Sequence, residues 1–365
     1  MLEVMRSGSL SLGPKLTAFE RSFADWLGSG DAVAVSSGTS ALHLGVRALG
    51  WGEGDEVVTS PLSFVASSNC LLYEEVEPVF CDVDPVTLNI DPIAAEAEVT
   101  EHTAGILPVH IFGYPAPLQE LEGIASKRGL GILEDACQAL GAVDAKGRRV
   151  GSTGNPATFA FYANKQMTTG EGGVLVPAEE AMASFARSAR NQGRSSNMEK
   201  VEHDIVGFNY RMTDIQAAVG IGQLERLDEL LAARASVAAM YRERLEAMDA
   251  AEPGAGDDAG LLLPCGDRGS ERRGWFVFCV QLPDGSDRQA VIDSLAAAGI
   301  ASKPYLPCIH TLPPYRERFD FKGGEFPVAE RVAARSLALP FFSSMTESEV
   351  DRVCATLGAA LQAKG

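Results

Sequence analysis

The sequence predicts an α/β fold with a large domain built on a seven-stranded, mostly parallel β-sheet. From residue 32 to about 176, short apolar runs alternate with helical patterns. The runs are too brief for helices, and most of them are apolar throughout, which is typical of parallel strands buried on both faces. Strand–helix alternation of this length indicates an α/β layer structure. The predicted strands are residues 32–35, 56–59, 78–81, 105–109, 131–134, 158–161 and 174–176.

A second, smaller α/β pattern comes after the first. A long helical stretch from Asp214 to about Met248 leads into a segment at 250–274 that is rich in Gly, Pro and charged residues and is typical of a domain connection. Beyond it we expect a strand at 275–282, a helix with a capping box that begins at Ser286, and a final helix capped at Thr346. We therefore predict a large domain at 1–248 and a small C-terminal domain at 249–365.

The amino-acid composition argues against several classes of binding partner. The 365 residues contain 31 Lys and Arg against 49 Asp and Glu, a formal net charge of −18. Nucleic acids and anionic membranes require a basic face, so neither is expected as a partner. Seven scattered cysteines, none spaced as Cys-x-x-Cys, indicate neither disulfides nor a zinc site. We expect no metal and, because no signal peptide or long apolar run is visible, a cytoplasmic location.

Lys165 is a candidate catalytic residue. It lies after a predicted strand and before a Thr- and Gly-rich loop, in the sequence FAFYANKQMTTGEGG at 159–173. A lysine is seldom placed beside a core without a partner. A desolvated lysine amine has a lowered pKa and can form a Schiff base with an aldehyde. For a lone lysine, the alternative is a solvated loop residue.

Asp135 stands at the carboxyl end of another apolar run, where α/β sheets bind ligands. A carboxylate there can pair with a protonated pyridine nitrogen and keep the ring cationic, as pyridoxal phosphate (PLP) chemistry requires. A helix cap or a Mg²⁺ ligand would use the same residue.

The segment VAVSSGTSAL at 33–42 predicts a strand that ends in small hydroxyl residues and a glycine and then gives way to a helix. Free N–H groups and the positive end of a helix dipole suit a phosphate, and Thr39 and Ser40 can add hydroxyl donors. An ordinary Ser/Thr helix cap is the alternative. Each of the three elements is unspecific alone. Together they supply a phosphate cradle, a ring-nitrogen partner and a Schiff-base lysine.

With these motifs in place, the chain resembles the PLP-dependent sugar aminotransferases of the DegT/StrS type, within the fold-type I, aspartate aminotransferase-like superfamily. The resemblance runs nearly end to end. Its most specific motifs are SGTSAL at 37–42, GDEV at 54–57, PVH at 108–110, EDACQA at 134–139, GEGG at 170–173 and GFNYRM at 207–212.

The resemblance implies a role for each matching residue around the cofactor. Lys165 would bind the PLP aldehyde and then carry the proton between substrate and cofactor carbons. Asp135 would pair with the pyridine nitrogen, Gln138 would contact the cofactor and Phe64 would stack on its ring. The phosphate cradle would consist of Gly38, Thr39 and Ser40.

Other positions are implied on the substrate and subunit sides. Asn209 would reach the phosphate of the neighbouring subunit's cofactor, so a homodimer with shared active sites is expected. Tyr305 and His310 would line the sugar side. Arg211 is a candidate for binding a substrate carboxylate or phosphate, with a structural salt bridge as the alternative.

The chain departs from the family pattern at Ala160, where the family usually has a phosphate-binding serine five residues before the lysine. Strand alternation predicts that Thr158 lies on the same face, so its hydroxyl is a candidate to compensate. Without compensation the phosphate loses a hydrogen bond worth ~1.5–3 kcal/mol.

The predicted reaction is a ping-pong transamination in amino-sugar and polysaccharide biosynthesis. Glutamate or glutamine would donate the amino group, and a keto group of a nucleotide-linked sugar would accept it. A cyclitol (inosose) aminotransferase is an alternative. A keto-sugar dehydratase would typically have histidine at position 165, and a non-catalytic regulator would be expected to lose Lys165 or Asp135. The sequence does not distinguish the sugar, the aminated carbon or the nucleotide.

Overall fold

The large sheet is observed in a computed structural model that describes residues 1–195, 202–254 and 260–362. Two hydrogen-bonded ladders have the strand orders β3-β2-β4-β5 and β1-β8-β7-β6. The strands are β1 (Val33–Val35), β2 (Glu56–Thr59), β3 (Glu77–Phe80), β4 (Thr103–Leu107), β5 (Gly131–Ile132), β6 (Glu134–Asp135), β7 (Ala157–Ala160) and β8 (Gly173–Val176).

The two ladders join into one sheet through β5 and β6, which are two halves of one strand interrupted at Leu133. Val109, just beyond β4, pairs in parallel with Asp135, and the N–H of His110 donates to the Asp135 carbonyl over 3.0 Å. The described sheet therefore has seven strand positions. All pairs are parallel except those of β8, which runs antiparallel to β1 and β7. The predicted mostly parallel sheet is confirmed.

Helices cover both faces of this sheet. Side chains alternate between the two faces of the sheet along β1 and the residue before it. Ala32 and Ala34 pack in a cluster with Phe23 on one face, and Val33 and Val35 pack in a second cluster on the other face. The helices of this region are α1 (Leu2–Ser7), α2 (Pro14–Leu27), α3 (Gly38–Ala48), α4 (Ala66–Leu72), α5 (Pro92–Ala97), α6 (Leu118–Arg128), α7 (Glu180–Ala189), α8 (Asp214–Leu224) and α9 (Leu227–Glu246). Burial on both faces explains why the strands are apolar throughout.

The C-terminal region forms a three-stranded antiparallel sheet in the order β10-β11-β9. Its elements are β9 (Phe278–Gln281), α10 (Arg288–Ala297), β10 (Lys303–Pro304), α11 (Pro313–Phe319), α12 (Pro327–Arg335), β11 (Ser336–Leu339) and α13 (Glu347–Gln362). Asp287, rather than the predicted Ser286, caps α10 by accepting the Ala290 N–H. The predicted cap at Thr346 is confirmed by reciprocal hydrogen bonds with Glu349.

The long helix α9 contributes to two cores. Leu227 packs in the core beneath the large sheet, whereas Tyr241 stacks on Phe278 of the C-terminal sheet with ring centres 4.8 Å apart. The division of the chain into domains at residue 248 remains a prediction, because α9, the last helix before that residue, packs in the cores of both regions. Among the described residues, no helix has the length and apolar character needed to cross a membrane.

Candidate active site

A cleft of about 530 Å³ opens where the carboxyl ends of the central strands meet the N-terminus of α3. Residues at 303–306 close its other side. Ligand sites in α/β sheets lie at this edge, because the loops after the strands converge there. The predicted site residues that line it are Gly38, Thr39, Phe64, Asp135, Gln138, Lys165 and Tyr305.

Asp135 lies at the base of the cleft, and its side chain is 4% exposed. The carboxylate is held at both oxygens. Ser67 Oγ donates to Oδ2 over 2.6 Å, and the N–H of Cys137 donates to Oδ1 over 3.1 Å. Hydrogen bonds to the charged form stabilise a buried carboxylate. Asp135 is thus suited to face a cationic ring nitrogen.

The amine of Lys165 faces the same cleft, with Nζ 4.0 Å from the centre of the Phe276 ring. Burial lowers the pKa of this amine, and the neighbouring Cys137 and Asp135 act in the opposite direction without reversing the shift. Among the described residues it has no ion-pair partner. A larger fraction of the amine is therefore uncharged and nucleophilic than in an exposed lysine.

The loop that carries Lys165 is fixed by its backbone. The Lys165 N–H donates to the Tyr162 carbonyl over 3.0 Å. From α9, the Arg234 guanidinium donates to the carbonyls of Lys165 and Phe276, over 3.3 and 3.2 Å. One buried cation thus connects the lysine loop to the ring that desolvates the amine.

The phosphate cradle has the geometry of a helix N-terminus. Ser37 caps α3 by accepting the Ser40 N–H over 3.0 Å. The first backbone bond of the helix runs from the Ala41 N–H to the Ser37 carbonyl over 3.1 Å, so the N–H groups of Gly38 and Thr39, which come before this donor, have no intrahelical acceptor among the described residues and are available to an anion. A Cβ on Gly38 would lie 2.6 Å from the Cβ of Ala160 and 2.9 Å from Cys137 Sγ, so only glycine lets α3 approach β7 this closely.

Ser40 and Thr158 do not line the cleft, and the phosphate-binding role of Ser40 stays a prediction. Ser40 is buried and does not line the cleft, and its Oγ lies 2.8 Å from Ser37 Oγ. Thr158 is not placed to compensate for Ala160. Its Oγ1 donates to the Glu134 carbonyl over 3.3 Å, and it lies outside the cleft, because it is two residues farther back along β7 than Ala160.

Three other predicted residues lie away from the cleft of their own chain. Asn209 is exposed and pairs through its backbone with Asn191. Arg211 donates to Asn191 Oδ1 over 3.0 Å. His310 is fully buried, and its Nε2 lies 3.0 Å from Glu330 Oε1. Their predicted roles stay predictions.

Comparison with known proteins identifies the family of this chain. Residues 1–358 match the DegT/DnrJ/EryC1/StrS aminotransferase family. The chain belongs to this family. It is accordingly a PLP-dependent sugar aminotransferase of fold type I, as predicted from its motifs.

Individual relatives of the family align over nearly the whole chain. GDP-perosamine synthase of Caulobacter vibrioides is 37% identical over 360 residues, which cover 96% of this chain and 91% of that protein. The spore coat polysaccharide biosynthesis protein SpsC of Bacillus subtilis is 36% identical, with coverages of 96% and 90%. The crystal structure of DesV from S. venezuelae, in complex with a ketimine intermediate, superposes with a TM-score of 0.90 at 32% identity, covering 99% and 93%.

The cleft of this aminotransferase fits PLP. It supplies a desolvated amine for the aldehyde, a buried carboxylate for the ring nitrogen and free helical N–H groups for the phosphate. Phe64 lines the cleft with 57% of its surface exposed, so its ring is available for stacking. Gln138 also lines the cleft, and its Oε1 accepts the Phe112 N–H over 3.1 Å.

Sequence reasoning missed several residues that this aminotransferase cleft contains. Ser67 gave a weak signal, because serines at positions 63 and 67 are one helical turn apart. Phe276 and Lys303 come from the C-terminal region, and no local pattern connects them with Lys165. Tyr162, Asn164 and Glu171 flank the lysine and also line the cleft.

Proposed function

We propose that this enzyme moves an amino group from glutamate or glutamine to a keto carbon of a nucleotide-linked sugar, and thereby makes an amino sugar. The relatives named GDP-perosamine synthase and SpsC support this acceptor class. A cytoplasmic setting suits the seven cysteines, which are all free thiols. The second product is the 2-keto acid of the donor, so atoms balance over the two half-reactions.

The observation that carries the proposal is the placement of Lys165 and Asp135 in one cleft with the N-terminus of α3. The amine and the carboxylate are both buried, and neither forms an ion pair with another side chain among the described residues. A structural lysine or aspartate in such a place would be expected to have an ionic partner. Both side chains are instead available to a bound molecule.

The role assigned to Lys165 is proton transfer. When bound, PLP supplies an aldehyde that takes up the amino group and a ring that accepts an electron pair. The Lys165 amine would be the group that holds the aldehyde. When free, it would act as the base that takes a proton from the amino donor and as the acid that gives it back. A lowered pKa favours both the removal and the return of the proton, because the pKa of the amine then lies closer to neutral pH.

The other residues of the cleft hold and orient the cofactor. Asp135 would pair with the ring nitrogen and stabilise a cationic ring. Phe64 would cover one face of the ring and exclude water from it. The N–H groups of Gly38 and Thr39 would hold the phosphate at the positive end of the α3 dipole.

Lys303 is the proposed contact for the anionic part of the acceptor. It is exposed at the mouth of the cleft, with Nζ 5.6 Å from the centre of the Tyr305 ring. It also lines an adjoining cavity of about 300 Å³ that shares Asn164, Phe276 and Tyr305 with the main cleft. A diphosphate at this junction would place the sugar toward Lys165.

We also propose a homodimer in which Asn209 serves the neighbouring active site. Asn209 is exposed and outside its own cleft, so it is free to reach another subunit. The backbone of its loop is anchored, since the Ser36 N–H donates to the Tyr210 carbonyl over 2.8 Å. This anchor connects the loop to the strand that leads into the phosphate cradle.

The deciding experiment tests the two half-reactions separately. Purified protein is loaded with PLP and mixed with glutamate, glutamine or alanine, and loss of the visible PLP absorbance identifies the donor. Protein loaded with pyridoxamine phosphate is then offered keto sugars linked to GDP, UDP or dTDP, the matching free keto sugars and keto cyclitols. We expect return of the absorbance with a nucleotide-linked sugar. Return with cyclitols alone would contradict the proposed acceptor.

A further inference from the structure

A chain of two serine hydroxyls leads to the carboxylate of Asp135. Ser67 Oγ donates to Asp135 Oδ2 over 2.6 Å, and Ser63 Oγ lies 2.7 Å from Ser67 Oγ. Ser63 and Ser67 are 2% and 1% exposed. Bulk water cannot compete for these bonds, and a short bond to an ionised acceptor is among the strongest in proteins.

The chemistry of the groups fixes the direction of the chain. An ionised carboxylate only accepts hydrogen bonds, so the single proton of the Ser67 hydroxyl must point to Asp135. The Ser67 oxygen then accepts from Ser63. The second carboxylate oxygen is held from another side by the N–H of Cys137. Rotation of the carboxylate would break both contacts.

The same segment carries the ring-stacking residue. Ser63 and Ser67 flank Phe64, and the Ser67 N–H donates to the Phe64 carbonyl over 3.1 Å, which closes the turn that begins α4. One short segment therefore sets the aromatic face of the cleft and the orientation of the carboxylate beneath it.

We propose that Ser67 is a positioning residue that holds the Asp135 carboxylate in one orientation toward the pyridine nitrogen of PLP, with Ser63 as its hydrogen-bond donor. This inference rests on the pairing of Asp135 with that nitrogen in the proposed function. Loss of the Ser67 hydroxyl would leave Oδ2 buried without its donor, so the ring would be held less tightly and its electron demand would fall.

The test compares Ser67→Ala, Ser67→Thr and Ser68→Ala. Ser68 is the next residue of α4; it is fully buried, and its hydroxyl has no hydrogen-bond partner among the described residues. It therefore controls for the general effect of removing a buried hydroxyl from this helix. Each variant is measured for PLP dissociation constant, for the pH dependence of the bound-PLP absorbance and for the rate of the donor half-reaction.

We expect Ser67→Ala to weaken PLP binding by about tenfold to a hundredfold, the usual effect of losing a hydrogen bond to a charged group. The absorbance should also titrate at a different pH. Ser67→Thr restores the hydroxyl and should stay within about threefold of wild type, as should Ser68→Ala. The inference would be overturned if Ser67→Ala and Ser68→Ala had the same PLP affinity and the same pH dependence of the absorbance.

Two further variants keep the result decisive. If Ser67→Ala does not fold, Ser63→Ala leaves the bond to Asp135 in place but removes its support. A several-fold loss of affinity is then expected, and an unchanged affinity and titration would overturn the inference. Asp135→Asn separates the two proposals. If it leaves PLP affinity and absorbance unchanged, the role proposed for Asp135 fails. If it alters them while the serine variants do not, only the inference about Ser67 fails.

Discussion

The Lys165 amine lies 4.0 Å from the centre of the Phe276 ring, and these two residues come from opposite sides of the cleft. The aromatic face gives the amine a weak cation–π contact and removes water from it. Desolvation has the larger effect, since the pKa of Lys165 is lowered. The pKa of the Lys165 amine therefore depends partly on Phe276, which is more than a hundred positions away in the chain.

The first prediction concerns Lys165 itself. Lys165→Ala should abolish the visible absorbance of bound PLP and reduce transamination by about a thousandfold or more, because both the covalent link and the transferred proton are lost. Absorbance scans and donor half-reaction rates measure these effects. Lys127→Ala, at an exposed position near the end of α6, is the control and should leave both unchanged. Normal turnover in Lys165→Ala would refute the assignment.

The second prediction concerns pH. Because burial lowers the pKa of Lys165, the folded apoprotein holds this proton less tightly than the unfolded chain does. Below the lowered pKa, the charged amine makes a constant destabilising contribution. The unfolding free energy of the apoprotein should therefore rise with pH between the lowered value and the ordinary value of about 10.4.

Denaturant unfolding of the apoprotein across this pH range measures the slope. Lys165→Met removes the titrating group and should reduce the slope, with Lys127→Met as the matched control. A slope that is the same in wild type and Lys165→Met would show that the amine is not desolvated.

The third prediction concerns Ala160. Ala160→Ser should supply a hydroxyl to the cofactor phosphate, because residue 160 lines the cleft beside Gly38, whereas Thr158 and Ser40 do not line it. We expect the PLP dissociation constant to fall by about tenfold. Equilibrium binding to the apoprotein measures this. Ala163→Ser, in the loop that follows β7, is the control, and equal affinities for the two variants would contradict the prediction.

The fourth prediction concerns Gly38. Gly38→Ala should destabilise the protein by ~1–3 kcal/mol, because the new methyl group would overlap Ala160 and Cys137. It should also weaken PLP binding by displacing the start of α3. Gly123→Ala, within α6 and with open space around its Cβ position, should stabilise by up to about 1 kcal/mol. Chemical denaturation of both variants measures the contrast, and equal stabilities would contradict the packing argument.

The fifth prediction tests the proposed acceptor site. Lys303→Met should raise the KM for a nucleotide-linked keto sugar by about tenfold, because one charge-assisted contact to the diphosphate is lost. The rate of the donor half-reaction should not change. Steady-state kinetics with both substrates varied measures this split. A rise in the KM for the amino donor alone would indicate that Lys303 contacts the donor and not the acceptor.

The sheet was predictable because burial on both faces forces its strands to be apolar throughout. The seven runs from 32–35 to 174–176 carry that signal, and the structure places a strand or half-strand at each. The interruption at Leu133 was not predictable, because it depends on where the neighbouring strands end. The cap of α10 shifted by one residue because Ser286 and Asp287 are both good capping residues and only the local backbone selects between them.

The site was predictable where chemistry and local pattern coincide. Lys165, Asp135 and the start of α3 each come at or just after the end of an apolar strand, and the loops at the carboxyl ends of parallel strands meet at one edge of the sheet. Thr158 was misplaced because alternation gives the face of a strand but not the depth. Phe276 could not be found in this way, because its contact with Lys165 depends on how the C-terminal region docks.

Helix α9 packs in both cores of the molecule. Its first turn lies in the core of the large sheet and its later turns lie in the C-terminal core. Near its middle, Arg234 donates hydrogen bonds to the carbonyls of Lys165 and Phe276. The reactive amine and its aromatic wall are thus both tied to a single helix that belongs to two cores. A substitution in either core that shifts α9 should therefore be transmitted to the distance between Lys165 and Phe276.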